Sequence, residues 1–234
     1  MRASKQAVEM LVWIFAAGAA LGGCAHEVLV PASGATVLRG DNKVAYERDA
    51  GVSVFVNGDA WKGTPAELET VMTPIKVTVN NSGQRPIRIA YKDFQLQTEN
   101  GMATNPLPPF SISKGPPGRS IVITDPAFGF NHFDLAPWYR PYYPNLTLWA
   151  GQWALDPNIY ESQYLDWQIP LPTEDMLRNA IPEGVLEAGG SVTGFLYFPK
   201  VADQTKGTIV FRANLPERGG KEIAKVDIPL RVKR

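Results

Sequence analysis

The sequence is poor in the residues that most often carry catalysis or cross-link a fold. Its 234 residues include one cysteine, Cys24, and two histidines, His26 and His132. A single thiol excludes an intramolecular disulfide and a multi-cysteine zinc site. The zinc motif HExxH and the nucleophile motif Gly-x-Ser-x-Gly are also absent. The sequence therefore predicts no metal and no cofactor, and it favours a protein that is not an enzyme.

An excess of charge of either sign is also lacking. The chain has 23 Lys and Arg residues against 23 Asp and Glu residues, and no basic stripe runs along any segment. A nearly neutral protein has no long-range field that would attract nucleic acid. Nucleic acid is therefore excluded as a predicted partner.

The longest apolar run lies near the N-terminus, where Met10 to Cys24 reads MLVWIFAAGAALGGC. The run from Met10 to Ala20 is too short to span a bilayer, which requires roughly 20 residues. Arg2 and Lys5 precede it, and small residues follow it. A basic start, an apolar centre and a small-residue end are typical of a secretory signal peptide.

The ending Leu21-Gly22-Gly23-Cys24 resembles the bacterial lipobox. The resemblance implies cleavage between Gly23 and Cys24, acylation of Cys24 (palmitate among the chains), and a membrane anchor on that residue. Ala25, as a residue other than Asp, implies transfer to the outer membrane as in proteobacterial lipoproteins. The alternative is an ordinary cleaved signal peptide followed by a free cysteine.

The organisation that follows has three parts. Residues 1–23 form the signal peptide, and residues 24–50 form a lipidated N-terminus with a flexible tether, because Ala32, Ser33 and Gly34 suit a linker. Residues 51–234 form the folded domain, with an insertion at about 125–185.

Alternating apolar residues indicate β-strands through most of the folded domain. Val52, Val54 and Val56 share one face, as do the alternate positions of 75–79 and 87–89, and turn residues separate these runs. Similar runs occupy 191–198, 208–213 and 223–232. One short helix is predicted over 173–181, capped by Thr173. The fold class is mainly β, an Ig-like antiparallel β-sandwich with an aromatic and Pro-rich insertion and one short helix.

Several segments are similar to a group of uncharacterised bacterial lipoproteins. They are 61–65 (WKGTP), 73–83 (TPIKVTVNNSG), 91–96 (YKDFQL), 171–177 (LPTEDML) and 194–199 (GFLYFP). The middle of the chain also resembles extracytoplasmic Ig-like domains. The resemblance implies a fold and a location, and it implies no activity.

Aromatic residues crowd the insertion and provide a candidate binding surface for an envelope protein or a glycan. Rings with polar tips are enriched at interfaces, and flat rings stack on sugars. The alternative is that the rings pack back onto the sandwich as additional core. The candidate surface residues are Trp138, Tyr139, Tyr142, Tyr143, Trp149 and Trp153.

His132, close to Asp125 and Asp134, is the remaining candidate for chemistry. A histidine with an orienting carboxylate can act as a general base in a hydrolase, but the favoured interpretation of His132 is a loop hydrogen bond. The expectation is a membrane-anchored envelope lipoprotein with a non-catalytic binding or structural role. The alternatives are a glycan- or peptidoglycan-binding module, and a hydrolase that uses His132.

Overall fold

The computed structural model describes residues 27–109, 122–151, 172–201 and 207–233, which form a mainly β protein with two antiparallel sheets and one short α-helix. The helix α1 spans Glu174–Asn179. The strands are β1 (Val28–Pro31), β2 (Val37–Leu38), β3 (Asp41–Asp49), β4 (Val52–Asn57), β5 (Met72–Asn81), β6 (Ile87–Ile89), β7 (Phe94–Thr98), β8 (Ala103–Thr104), β9 (Gly129–Leu135), β10 (Gly184–Pro199), β11 (Thr208–Pro216) and β12 (Glu222–Lys233).

Two sheets pack face to face, as the sequence predicts. The smaller sheet has the order β1-β12-β11-β7-β8, and the larger has the order β2-β3-β4-β5-β10, with β6 and β9 also paired to β10. Phe198 of the larger sheet meets Phe211 of the smaller edge to face, with 6.2 Å between the ring centroids. The predicted β-sandwich is therefore confirmed.

The alternating pattern in the sequence explains which side chains fill the core. Ile75, Val77 and Val79 of β5 are fully buried, and Lys76 between them is exposed. The same holds for Val54 in β4, which pairs directly with Val79. Burial of each such side chain contributes about 1.5–3 kcal/mol, which selects this register over a one-residue shift.

The 16-residue strand β10 is the centre of the larger sheet. Gly184 pairs with Ile89 of β6 and Leu135 of β9, so β6 and β9 lie on opposite edges of β10. At Ser191 the partners are β5 and, again, β9. Hence β5 and β6 follow one another along one edge, and β9 lies along the other.

The β9 edge of β10 is continued by two further segments. The Ile181 amide donates to the Phe195 carbonyl at 3.1 Å, and the Leu107 amide donates to the Tyr197 carbonyl at 2.6 Å. Together with β9, these contacts cover the edge of β10 almost to its end. A covered edge offers no row of free amides to a neighbouring molecule.

The Asn81 side chain fixes the junction of β5, β6 and β10. Its amide nitrogen donates to the carbonyls of Arg85, Leu186 and Glu187, and its amide oxygen accepts from the Gly83 backbone. Because Asn81 is buried, these bonds replace the water that the amide loses on folding.

The tether predicted for residues 24–50 is wrong from residue 28 onward. Strands β1, β2 and β3 occupy most of that range, and β1 pairs with β12 from Val28 to Pro31. Leu29 and Ala45 lie in the core. The Ala-Ser-Gly stretch that suggests a linker is a turn between β1 and β2.

The insertion contributes a strand, which its proline content argues against. Strand β9 occupies the proline-free stretch between Pro126 and Pro137, so no ladder amide is lost there.

The predicted helix is confirmed, since the Thr173 side chain accepts from the Met176 amide at 3.3 Å. It ends at Asn179 because Ala180 adopts an extended backbone and pairs with β10.

Candidate functional surfaces

Between residues 128 and 149, which we call the aromatic segment, most aromatic side chains pack against the body of the protein. Tyr139 and Tyr143 are 2% and 0% exposed, so they form no surface, and this part of the predicted binding surface is corrected. Trp138, Tyr142 and Trp149 are half-buried, the first two packing against the core. Trp153 lies outside the described residues, as do Gly23 and Cys24.

Two buried tyrosine hydroxyls donate hydrogen bonds to backbone carbonyls near the end of helix α1. Tyr143 donates to the Leu177 carbonyl at 3.1 Å, and Tyr197 donates to the Met176 carbonyl at 3.0 Å. The last carbonyls of a helix lack partners within the helix. These two tyrosines therefore hold α1 against β10, and burial raises the pKa of both hydroxyls.

Glu183 places a carboxyl group in the core immediately before β10. One oxygen accepts from the Tyr91 amide at 3.0 Å, and the Tyr91 hydroxyl donates to the Ile181 carbonyl at 2.7 Å. Burial raises the pKa of Glu183 to about 7. The side chain is 5% exposed, so the carboxyl group lies in the core beside Tyr91.

Trp149 links the aromatic segment to the smaller sheet. The Arg218 guanidinium lies 4.5 Å from the centroid of the indole ring, within range of a cation–π interaction. Arg218 belongs to the turn between β11 and β12, and its amide donates to the Pro86 carbonyl. Trp149 therefore has a structural partner on the described surface.

His132 does not form a hydrogen-bonded set with the two aspartates near it. It is exposed and has a left-handed backbone, with φ of 49°, opposite an irregular stretch of β10. Asp125 forms an ion pair with Arg178 at 3.4 Å. Within the described ranges, no hydrogen bond or ion pair joins His132 to Asp125 or Asp134, and no group of three or more His, Cys, Asp or Glu residues could hold a metal.

The outer side of the larger sheet carries an aromatic and hydroxyl surface that the sequence analysis missed. Tyr46, Phe55, Thr78 and Thr193 lie opposite one another on β3, β4, β5 and β10. The rings of Tyr46 and Phe55 stack with centroids 5.3 Å apart, and the two threonine hydroxyls are 2.8 Å apart. We call these four residues the sheet-face row.

A shallow groove of about 400 Å³ runs beside the sheet-face row. Phe55 and Leu38 line it with apolar surface, and Asn57, Lys76 and Asn80 line it with polar groups. In the sequence, Phe55 alternates with Val54 and Val56, which indicates that its ring points away from the core. A single ring in a strand does not stand out beside the many rings of the insertion.

Comparisons with protein-family models, with curated proteins and with solved structures find no match for this chain. Among the residues that the structure describes, no helix has both the length and the apolar character needed to cross a bilayer.

Proposed function

We propose that this chain is an envelope lipoprotein, anchored at the outer membrane through Cys24, whose β-sandwich is a non-catalytic binding or structural module. The observation that carries the proposal is the position of the lipobox relative to the fold. Cleavage before Cys24 removes residues 1–23, and the described strands begin at Val28. The cut therefore leaves every described strand intact and places the modified residue four positions before β1.

Acylation of Cys24 would suffice to hold the sandwich at a membrane. Each buried methylene contributes about 0.8 kcal/mol, and two acyl chains already give stable attachment. The lipobox resemblance implies more than two chains. The binding role is favoured over catalysis because His132 and its neighbouring aspartates form no connected set.

Metabolic labelling with an alkyne analogue of palmitate tests the anchor. We expect the wild-type protein to take up the label and to fractionate with outer membranes, and Cys24→Ser to lose the label. Ala25→Asp is the matched variant, because it should keep the label and move to the inner membrane. Label retained by Cys24→Ser would disprove lipidation at this residue.

A glycan-binding module is the second candidate, and the groove beside the sheet-face row favours it. A half-buried aromatic ring next to hydroxyl and amide groups provides both a stacking surface and the hydrogen bonds that a sugar chain requires. This location differs from the aromatic segment, in which Tyr139 and Tyr143 are buried.

Co-sedimentation with peptidoglycan distinguishes the two locations. We expect Phe55→Ala to reduce the sedimented fraction severalfold, because it removes the ring at the groove, and Trp138→Ala to sediment like the wild type. Reduced sedimentation of Trp138→Ala alone would return the site to the aromatic segment. A wild-type protein that remains in the supernatant would remove the glycan hypothesis.

A further inference from the structure

Basic residues gather around the start of β1, where the chain leaves the anchor. Val28 lies opposite Lys233 in the β1–β12 ladder, and Val30 lies opposite Arg231. The Glu27 carboxylate lies 4.0 Å from the ammonium group of Lys200. The first strand is thus flanked by cations contributed by the last strand and by the segment that follows β10.

Two further lysines approach the same point from the other side. A bridge pairs Leu29 with Gly58, and Asp59 next to it forms an ion pair with Lys43 at 2.7 Å. The hydrogen bond from Lys43 lowers the pKa of Asp59, and the nearby charges of Lys62 and Lys233 lower it further. Lys43, Lys62 and Lys233 therefore all lie close to Asp59.

We call this region the basic end, and it carries more positive than negative charge. Its carboxylates are Glu27, Asp41, Asp59 and Glu99, the last of which accepts from the amide of Thr208, the residue opposite Arg231. Lys43 keeps 55% of its side chain exposed in spite of its ion pair. The cations of the basic end are Lys43, Lys62, Lys200, Arg231 and Lys233.

We propose that the basic end rests on a membrane surface and binds the phosphate headgroups of anionic phospholipids. The proposal rests on the lipid anchor at Cys24 proposed above. Four Cα steps of 3.8 Å separate Cys24 from Val28, so Val28 lies within about 15 Å of the anchored residue. A tether of that length brings the basic end to within a few Debye lengths of the headgroups at most.

The other end of the sandwich is held away from that surface. Strand β12 runs 12 residues from Glu222 to Lys233, a length of roughly 37 Å at the usual rise of an antiparallel strand. Lys221 and Lys225 lie near its start. They therefore provide internal reference lysines in the same molecule and on the same strand as Lys233.

Lysine acetylation on vesicles, read by mass spectrometry, tests the proposed contact. The natively lipidated protein is reconstituted into phosphatidylcholine vesicles with or without phosphatidylglycerol. In parallel, the mature chain of residues 24–234, which contains every described residue, is coupled through its single thiol, Cys24, to a maleimide lipid in the same vesicles. The second preparation restores the anchor point without biological lipidation.

We expect anionic vesicles to slow acetylation of Lys62 and Lys233 at least fivefold relative to neutral vesicles, and to slow that of Lys43 and Lys200 as well. Acetylation of Lys221 and Lys225 should not change. High salt should abolish the difference, because it screens exposed charges. Equal acetylation of the two pairs on anionic vesicles would overturn the proposal.

Matched charge variants provide the second readout. Lys62→Gln with Lys233→Gln should restore acetylation of Lys43 and Lys200 on anionic vesicles, and Lys221→Gln with Lys225→Gln should not. Near a membrane each lysine raises partitioning roughly fivefold, so two of them make a measurable difference. Protection of Lys43 and Lys200 that persists equally in both variants would contradict a phospholipid contact through this end.

The two proposals fail in different ways. Lipidation of Cys24 with unprotected lysines at the basic end removes this inference and leaves the lipoprotein proposal standing. Absence of label at Cys24, with protection on the maleimide vesicles, removes the lipid anchor and leaves the headgroup affinity of the basic end.

Discussion

Glu183 makes the stability of the fold depend on pH. Its pKa is about 7 in the folded protein against 4.5 as the reference value, because burial penalises the carboxylate. Between these values Glu183 binds more protons in the folded protein than in the unfolded chain, so its contribution favours the fold at low pH and is lost as the pH rises through 7. At 1.36 kcal/mol per pKa unit, the loss is about 3 kcal/mol. Asp93, whose pKa burial also raises, adds to the same trend.

Glu183→Gln should flatten this dependence. The amide oxygen can still accept from the Tyr91 backbone, but the side chain no longer ionises. We expect the free energy of unfolding, measured in urea at pH 5 and pH 8, to fall less between the two values than in the wild type. The control is Glu187→Gln, because Glu187 lies in β10 and its side chain is only half-buried. An unchanged slope in Glu183→Gln would show that another group causes the pH dependence.

The sequence does not predict which aromatic residues of the insertion are buried and which are partly exposed. Tyr142 and Tyr143 are neighbours in a loop, yet Tyr143 is fully buried and Tyr142 is half-buried. Alternation orders side chains in strands because successive residues point to opposite faces, and a loop has no such period. What decides burial here is the Leu177 carbonyl, which lies 34 residues away in the chain and needs a donor.

Helix α1 is docked on β10 at a glycine. A Cβ atom at Gly194 would lie 2.7 Å from the Asn179 carbonyl oxygen and 2.8 Å from Ile181 Cγ1. Both atoms belong to the end of α1 and the segment that pairs with β10. Close packing at this point therefore requires the absence of a side chain.

Gly194→Ala should loosen the contact between helix and strand. Overpacking of this kind typically costs about 1–3 kcal/mol, because the neighbouring backbone must move. The matched control is Gly129→Ala in β9, where the nearest atom to a Cβ, Thr193 Cβ, is 3.8 Å away. Thermal unfolding should show a lower midpoint for Gly194→Ala and little change for Gly129→Ala. Equal midpoints would mean that α1 shifts without loss of packing.

Strands in which apolar and polar residues alternate clearly could be predicted from the sequence, and strands with weak alternation could not. β5 buries every second residue along Ile75, Val77 and Val79, which specifies its face unambiguously. In β3, Ala45 is the one buried position among mostly charged or polar neighbours, so the sequence resembles a linker. β3 is ordered by pairing with β4 and by its contact with β12. The residues of β3 do not themselves show this, because the alternation within β3 is weak.

The distribution of charge belongs to the molecule as a whole. The sequence predicts a nearly neutral chain without a basic stripe, and its counts are balanced. The fold nevertheless collects Lys43, Lys62, Lys200 and Lys233 at one end of the sandwich. Residues separated by up to 190 positions meet there, so no window along the sequence contains the pattern.

The pairing of β1 with β12 sets the order in which the protein can mature. β1 is the first described strand, and its partner in the smaller sheet is the last, with Val28 opposite Lys233. A chain synthesised from its N-terminus therefore cannot form the β1–β12 ladder until β12 has emerged, because the matching residues lie some 200 positions later. Until then β1 can contact β3, β5 and Gly58, and a ribosome that stops before β12 yields a product in which β1 lacks its ladder partner.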